Sequence, residues 1–319
     1  MANQKDKNTN AAPVMAGGAN NAAVVRVKST GKLKRSTIGD WVIAFLMLVL
    51  ILACLLPVIS VVAASFSSAG AIARREVTLM PVEFTIEAYQ DVLSDARFMW
   101  SLAWTAIITV IAVVVNLIMT ILCAYPLTYE SLKGRKFLSV AIIFTMYFGA
   151  GLIPTFILFR TLGLLDNPAV LILPGMISVF FMIIMRNFFT GIPDSLKESA
   201  EMDGAGPMTV LWKIYLPLST PVLATIGLFY AVGRWNGFMD ALFFLSGASR
   251  FHPIQLLLYN IIQNLTAVDV LDPGNALSPG WGTVVQNAAI VIAMVPILCV
   301  YPFCQKYFVQ GATLGAVKG

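Results

Sequence analysis

Six stretches of the chain run almost without polar interruption, at about 41–66, 100–127, 137–159, 169–185, 222–232 with its flanks, and 285–303. About 20 apolar residues in helical conformation cross the roughly 30 Å hydrocarbon layer of a bilayer, so the pattern predicts six membrane-spanning helices. A transmembrane barrel would instead alternate apolar and polar positions in segments of about ten residues. The chain does not, and the expected fold is all-α and integral to the membrane. Residues 1–36, rich in Asn, Ala, Gly and Lys without an apolar period, read as a disordered cytoplasmic tail before a membrane domain over 37–319. The first apolar run is too long for a cleaved signal, and no small-residue cleavage site follows a short apolar core.

Composition agrees: 58% of residues are hydrophobic and 12% charged, and the mean hydropathy is +0.82. The formal charge of +5 does not point to nucleic acid, because much of it lies in the tail beside the first span. Of the 21 Lys and Arg residues, 15 fall in the N-terminus, the second and fourth loops and the C-terminus, and 6 in the alternate loops. The positive-inside rule then puts both termini in the cytoplasm. Cys54, Cys123, Cys299 and Cys304 lie in or at the ends of apolar runs, without the paired spacing of a metal site. No metal or cofactor is expected in this chain.

The fourth loop, about 193–216, carries Asp194, Glu198, Glu201 and Asp203 against Lys197, Lys213 and the nearby Arg186, so orientation alone does not account for it. Asp194 or Ser195 is placed to cap a short helix, and Ser195 with Glu198 has the spacing of a capping box. Gly204 supplies either a left-handed turn or room for a close contact, and Pro207 suits the first position of a second helical segment. Leu211, Trp212, Ile214 and Tyr215 make an apolar patch before Pro217 and Pro221 kink the chain into the fifth span. Such a loop is either a docking element for another protein or an amphipathic connector on the bilayer. A helix that binds anionic lipid should be basic, and this one is acidic.

Glu198-Ser199-Ala200, then Asp203-Gly204-Ala205, and after nine residues from Gly204 the run Ile214-x-Leu216-Pro217 resemble the EAA signature of ABC-importer permeases, with Ser199 in place of the usual second Ala. The stretches "MYFGAGLIPTFILFRTLGLLDNPAVLILPG", "MRNFF" and "FYAVGRWNGFMDALFFL" resemble the oligosaccharide-importer permeases of the YtcP-like and alginate-type branch. The run "YFVQGATLGAVKG" is similar to a MalG-type C-terminal tail. The resemblance covers about 40–319 and implies a type I importer permease fold. It also implies a coupling helix in the fourth loop seated in an ATP-hydrolysing subunit, and an oligosaccharide or other carbohydrate as substrate. The implied partners are a second, different permease subunit, two ATP-binding subunits that hold ATP and Mg, and an extracellular or periplasmic substrate-binding protein. The tail, 305–319, is implied to reach the ATPases through Gly311, Gly315 and Lys318. The chain has no G-x-x-x-x-G-K-[ST] phosphate loop, so ATP hydrolysis is assigned to the partners.

Polar groups inside a membrane are costly, which makes Asn116, Tyr147, Arg234, Asn236, Gln286 and Asn287 the positions for a translocation path, unless they bridge helices. Trp235 beside Asn236, and Tyr147 with Phe148, pair an aromatic face with a polar group as sugar binding needs, or anchor the spans at the interface. Gly149, Gly151 and Pro154 loosen the third span, as hinges or as packing points. The long fifth loop, about 237–283, holds an amphipathic segment that either receives the binding protein or caps the bundle. A secondary transporter of a small solute is the alternative, favoured by midplane charges that the span centres lack.

Overall fold

The computed structural model describes residues 38–247, 249–271 and 280–316, with the backbone alone described at 249, 264–271, 301 and 303–316. The predicted tail at 1–36 lies outside the described residues. By contacts the chain divides after Ile51 into two units, the first of which is described only over the N-terminal half of α1. All described regular structure is helical, with no strand among the described residues.

Helix α1 (Ile38–Ser65) is apolar on every side, and its side chains from Ile38 to Leu56 are largely exposed in this chain. A short α2 (Ala69–Ala73) and α3 (Glu87–Ser94) follow. Between them Arg74 pairs with Glu76 at 2.9 Å and with Glu83 at 2.7 Å, and Ser68 also bonds Glu83. The Ser68 hydroxyl, then Arg74, hold the Glu83 carboxyl below its ordinary value.

Helix α4 (Ala96–Ala124) is the central element, about 43 Å long at 1.5 Å per residue. Asp95 caps it by accepting from the backbone N–H of Arg97 and Phe98. Ser101, Thr105, Thr109, Asn116 and Thr120 recur at helical spacing and are all buried, giving α4 a narrow small and polar stripe. That stripe is where other elements bond. Ser101 donates to His252 O at 2.6 Å, Thr105 accepts from Ile254 N at 2.7 Å, and Thr120 meets the Tyr230 hydroxyl at 2.8 Å. Small groups permit close approach, as in membrane helix pairs generally. At Gly227 an added Cβ would stand 3.3 Å from Leu117 Cδ1.

The third apolar run is not one continuous helix. Helix α5 (Arg135–Tyr147) and α6 (Leu152–Thr161) meet at 113°. The break falls at 148–151, where Gly151 has φ +87°, a conformation that side-chain-bearing residues rarely adopt, so the loosening expected at these glycines is a sharp bend. The fourth run begins as two 3₁₀ turns, Pro168–Leu171 and Leu173–Gly175, and bends by 48° into α7 (Val179–Thr190). After α8 (Asp194–Met202), α9 (Pro207–Val210) and α10 (Leu216–Leu218), α11 (Thr220–Asn236) supplies the fifth run. The fifth loop contains α12 (Met239–Phe244) and α13 (Ile254–Leu271), the latter being the expected amphipathic segment. Residues 272–279 of that loop lie outside the described residues. Helix α14 (Trp281–Ala316) continues through the segment read as a tail. Among the described residues, three helices are long and apolar enough to cross a membrane, or up to six spans if each bent pair is one.

Candidate functional site: the 193–216 loop and its anchor

Helix α8 begins at Asp194 with Pro193 as the flanking residue, and no side chain caps it. The expected capping box is therefore not formed. Ser199 Oγ instead donates to Ser195 O at 2.8 Å, a bond to the preceding helical turn. The helix ends in a Schellman motif. Gly204 sits at φ +82°, its N–H bonds Glu201 O at 3.0 Å, and Ala205 N–H reaches back to Ala200 O at 2.9 Å. The motif brings Ala200 and Ala205 onto one buried cluster, so both positions favour a small side chain. Of the two roles left open for Gly204, the left-handed turn is the one it plays: an added Cβ would meet nothing within 4 Å.

Pro207 opens α9 as predicted, with Gly206 at the cap. The chain then widens into a π-helical turn, Leu211–Tyr215. Pro217 explains it, because proline lacks an N–H and its ring crowds the carbonyl four residues back, so the turn relaxes outward. Between Leu218 and Thr220 the path swings by 82° into α11. The apolar patch read from the sequence is split by this geometry. Leu211 and Tyr215 are buried, Ile214 and Leu216 are half-buried, and Trp212 and Pro217 face outward. Glu198, Ser199, Glu201 and Asp203 are exposed beside Met202, which is 88% exposed, and Met208.

Two tyrosines just beyond α4, Tyr125 at its C-cap and Tyr129 after a 3₁₀ turn, hold the loop. Tyr125 donates its hydroxyl proton to Pro207 O at 2.9 Å, which leaves Tyr129 to donate to Tyr125 at 2.6 Å. Lys197 Nζ stands 3.9 Å over the Tyr129 ring, a cation–π contact to α8. The Tyr125 ring packs edge-on against Tyr215 at 5.2 Å and Phe189 at 6.3 Å. Thus α4, α7, both halves of the loop and the entry to α11 share one aromatic box. Nothing in the sequence reading singled out Tyr125, Tyr129 or Phe189. A Tyr-x-x-x-Tyr pair at the end of an apolar run was the available signal.

The path residues do not form one group. Asn116 is buried on α4, its Oδ1 without a partner, whereas Tyr147 and Phe148 are 80% and 66% exposed at the α5–α6 break. Trp235 is buried, and its indole N–H donates to Ala293 O at 3.2 Å, so it serves the α11–α14 contact rather than an open path. Arg234 is pinned by Leu171 O, Gly237 O and Asp240. Asn236 opens on a cavity of about 320 Å³, with Gln255, Tyr259, Phe238, Ile290 and Met294 in its walls. Phe238 stacks on Tyr259 at 5.2 Å. Gln286 and Asn287 are half-buried on α14 outside that lining.

Residues 118–313 match the family described as "Binding-protein-dependent transport system inner membrane component". The chain belongs to this family. It is a membrane permease component, and the matched region holds the end of α4, the clamped loop, α11 and most of α14. It is 41% identical over 287 residues to the "Polygalacturonan/rhamnogalacturonan transport system permease protein YtcP" of Bacillus subtilis (strain 168), covering 89% of this chain and 100% of the relative. It is 43% identical to "Protein LplC" of the same organism, over 83% of this chain and 90% of that one. Among solved structures it resembles a chain of "a bacterial ABC transporter involved in the import of the acidic polysaccharide alginate". There the identity is 37% and the TM-score 0.76, over 86% of this chain and 99% of that one. Gly311 and Gly315 of this permease lie in the helical backbone of α14, and Lys318 lies outside the described residues.

Proposed function

We propose that this permease is one of two different membrane subunits of an ATP-driven importer for a carbohydrate, an oligosaccharide in particular. It crosses the cytoplasmic membrane six times with both termini inside. The names of its relatives, a polygalacturonan/rhamnogalacturonan permease and an alginate importer, support the substrate class. The observation that carries the mechanism is the 193–216 loop, which exposes carboxylates and two methionines on one side while its other side is clamped by Tyr125 and Tyr129. An exposed tip on a fixed base is what transmission of a force requires.

In this reading Glu198, Ser199, Asp203 and Met202 face the ATPase partner. Ala200, Gly204 and Ala205 shape the turn, and Ile214, Leu216 and Pro217 lead the motion into α11. ATP and Mg are held by two ATP-binding subunits, whose closure draws the coupling loops together and swings the attached spans. ATP supplies the bias through its greater affinity for the closed state. A substrate-binding protein delivers the sugar at the opposite face, and Asn236, Gln255 and Tyr259 offer amide and hydroxyl groups beside an aromatic face along the path. Asn116, Tyr147, Phe148 and Asn287 are retained as path positions that the assembled pair of permeases would bring together. Gly311, Gly315 and Lys318 are retained as tail contacts to the ATPases. The test is co-purification of the tagged chain from its native host, with mass spectrometry to identify partners and an ATPase assay. An ATPase and a second permease in the preparation are expected. A chain that purifies alone, stable and without ATPase activity, sinks the proposal.

A further inference from the structure

We infer that the cleft between α5 and α7, beside the clamped loop, holds the phosphate headgroup of an anionic phospholipid. The cleft measures about 720 Å³ and is walled by Glu130, Leu132, Arg135, Lys136, Ser139 and Arg186 among others. Three cations face one carboxylate. Arg135 is 22% exposed, yet its carboxylate partner, Glu130, stands 3.7 Å away and is itself 94% exposed. A pair so placed is largely screened by solvent and gives a mostly buried guanidinium little compensation. No carboxylate lies within 4.0 Å of Lys136 or Arg186 among the described residues. Ser139 adds a buried hydroxyl oxygen with no hydrogen-bond partner. Two guanidinium forks, an ammonium and a hydroxyl are the donor set that a phosphodiester satisfies.

The apolar surroundings select a lipid over a free anion. Leu132 and Val140 belong to the same walls. Phe137, Val140 and Phe144 follow one another along one face of α5 and are 76%, 67% and 60% exposed. Acyl chains would cover that face, whereas inorganic phosphate makes no use of it. Basic clefts between spans on the cytoplasmic side are known stations for anionic headgroups. Arg186 sits one turn before the end of α7 at Thr190, and α8 starts at Asp194, so the site is next to the coupling loop. Only the choice of leaflet rests on the proposed orientation. Helix α5 buries no side chain of its own, so a bound headgroup would tie it to α7 and to the loop beyond.

The test is native mass spectrometry of the complex carrying the full chain, released from nanodiscs of phosphatidylcholine with or without phosphatidylglycerol. The wild type is compared with the double variant Arg135→Gln/Arg186→Gln, with Arg135→Lys/Arg186→Lys, and with Arg160→Gln, an exposed cation outside the cleft. Wild type and Arg160→Gln should retain phosphatidylglycerol. The double Gln variant should lose it with about fivefold weaker binding per cation removed, and the Lys variant should fall between. Equal retention in wild type and the double Gln variant overturns the proposal. So does displacement of the retained lipid by inorganic phosphate alone, which would identify a free-anion site. Should no ATPase accompany the chain, the lipid count on the chain still decides, and the two readings fail separately.

Discussion

At Gly204 the backbone, not the side-chain space, sets what is tolerated. A left-handed conformation costs roughly 1–2 kcal/mol for residues with a Cβ, and more for branched ones, whereas Asn visits it readily. Gly204→Val should therefore abolish coupled uptake at normal membrane levels, while Gly204→Asn keeps most of it. Transport measured in cells with quantified expression separates the two, and full uptake with Val would remove the turn from the mechanism. Tyr125 makes a different prediction, since Phe keeps the ring packing and loses only the hydroxyl. The loss of its bonds to Pro207 O and to the Tyr129 hydroxyl should cost about 1 kcal/mol of local stability each. ATPase activity should then persist with several-fold less uptake per ATP, and unchanged stoichiometry would relegate Tyr125 to packing. Trp235→Phe should leave the substrate dependence of uptake untouched. Gln255→Ala or Tyr259→Phe should raise the sugar concentration needed for half-maximal uptake.

Among the described glycines, Gly280, between α2 and the start of α14, has the least room for a side chain. Gly280 has φ +91°, and a Cβ there would fall 2.5 Å from Ala69 O. Gly280→Ala should lower stability by about 1–3 kcal/mol, read as a lower midpoint for loss of monodisperse protein on heating. The neighbouring clasp of Ser68, Arg74 and Glu83 is pH-sensitive with a definite sign. The folded carboxyl titrates below its ordinary 4.5, so the clasp contributes fully above that pH and is lost as pH falls through the lower folded value. Hydrogen exchange at Thr85 N–H, which bonds Phe66 O at 3.0 Å, should accelerate only below that range. The sequence announced α4, α8, α11 and α13 through apolar runs, a Gly and a Pro. The α5–α6 bend was less legible, because an apolar run reads the same whether it goes straight or turns. Only the left-handed Gly151 in the folded chain marks the difference.

At the scale of the molecule, the exposed apolar sides of α1 and α5 belong to a protein that works inside lipid. Sequence alone determined that the chain is helical and membrane-embedded, because unbroken apolar stretches long enough to cross hydrocarbon have no other stable home. It also located the 193–216 loop, because a left-handed glycine and a first-turn proline impose local geometry wherever they occur. Tertiary structure decided what distance along the chain conceals. Tyr125 and Pro207 are 82 positions apart and share a 2.9 Å hydrogen bond. Trp235 and Asn236 are adjacent, yet one is sealed into a helix contact and the other opens on a cavity. Successive residues on a helix point about 100° apart, so adjacency in sequence does not make a shared site. Which groups meet is settled by the packing of faces, and that appears only when the helices are assembled.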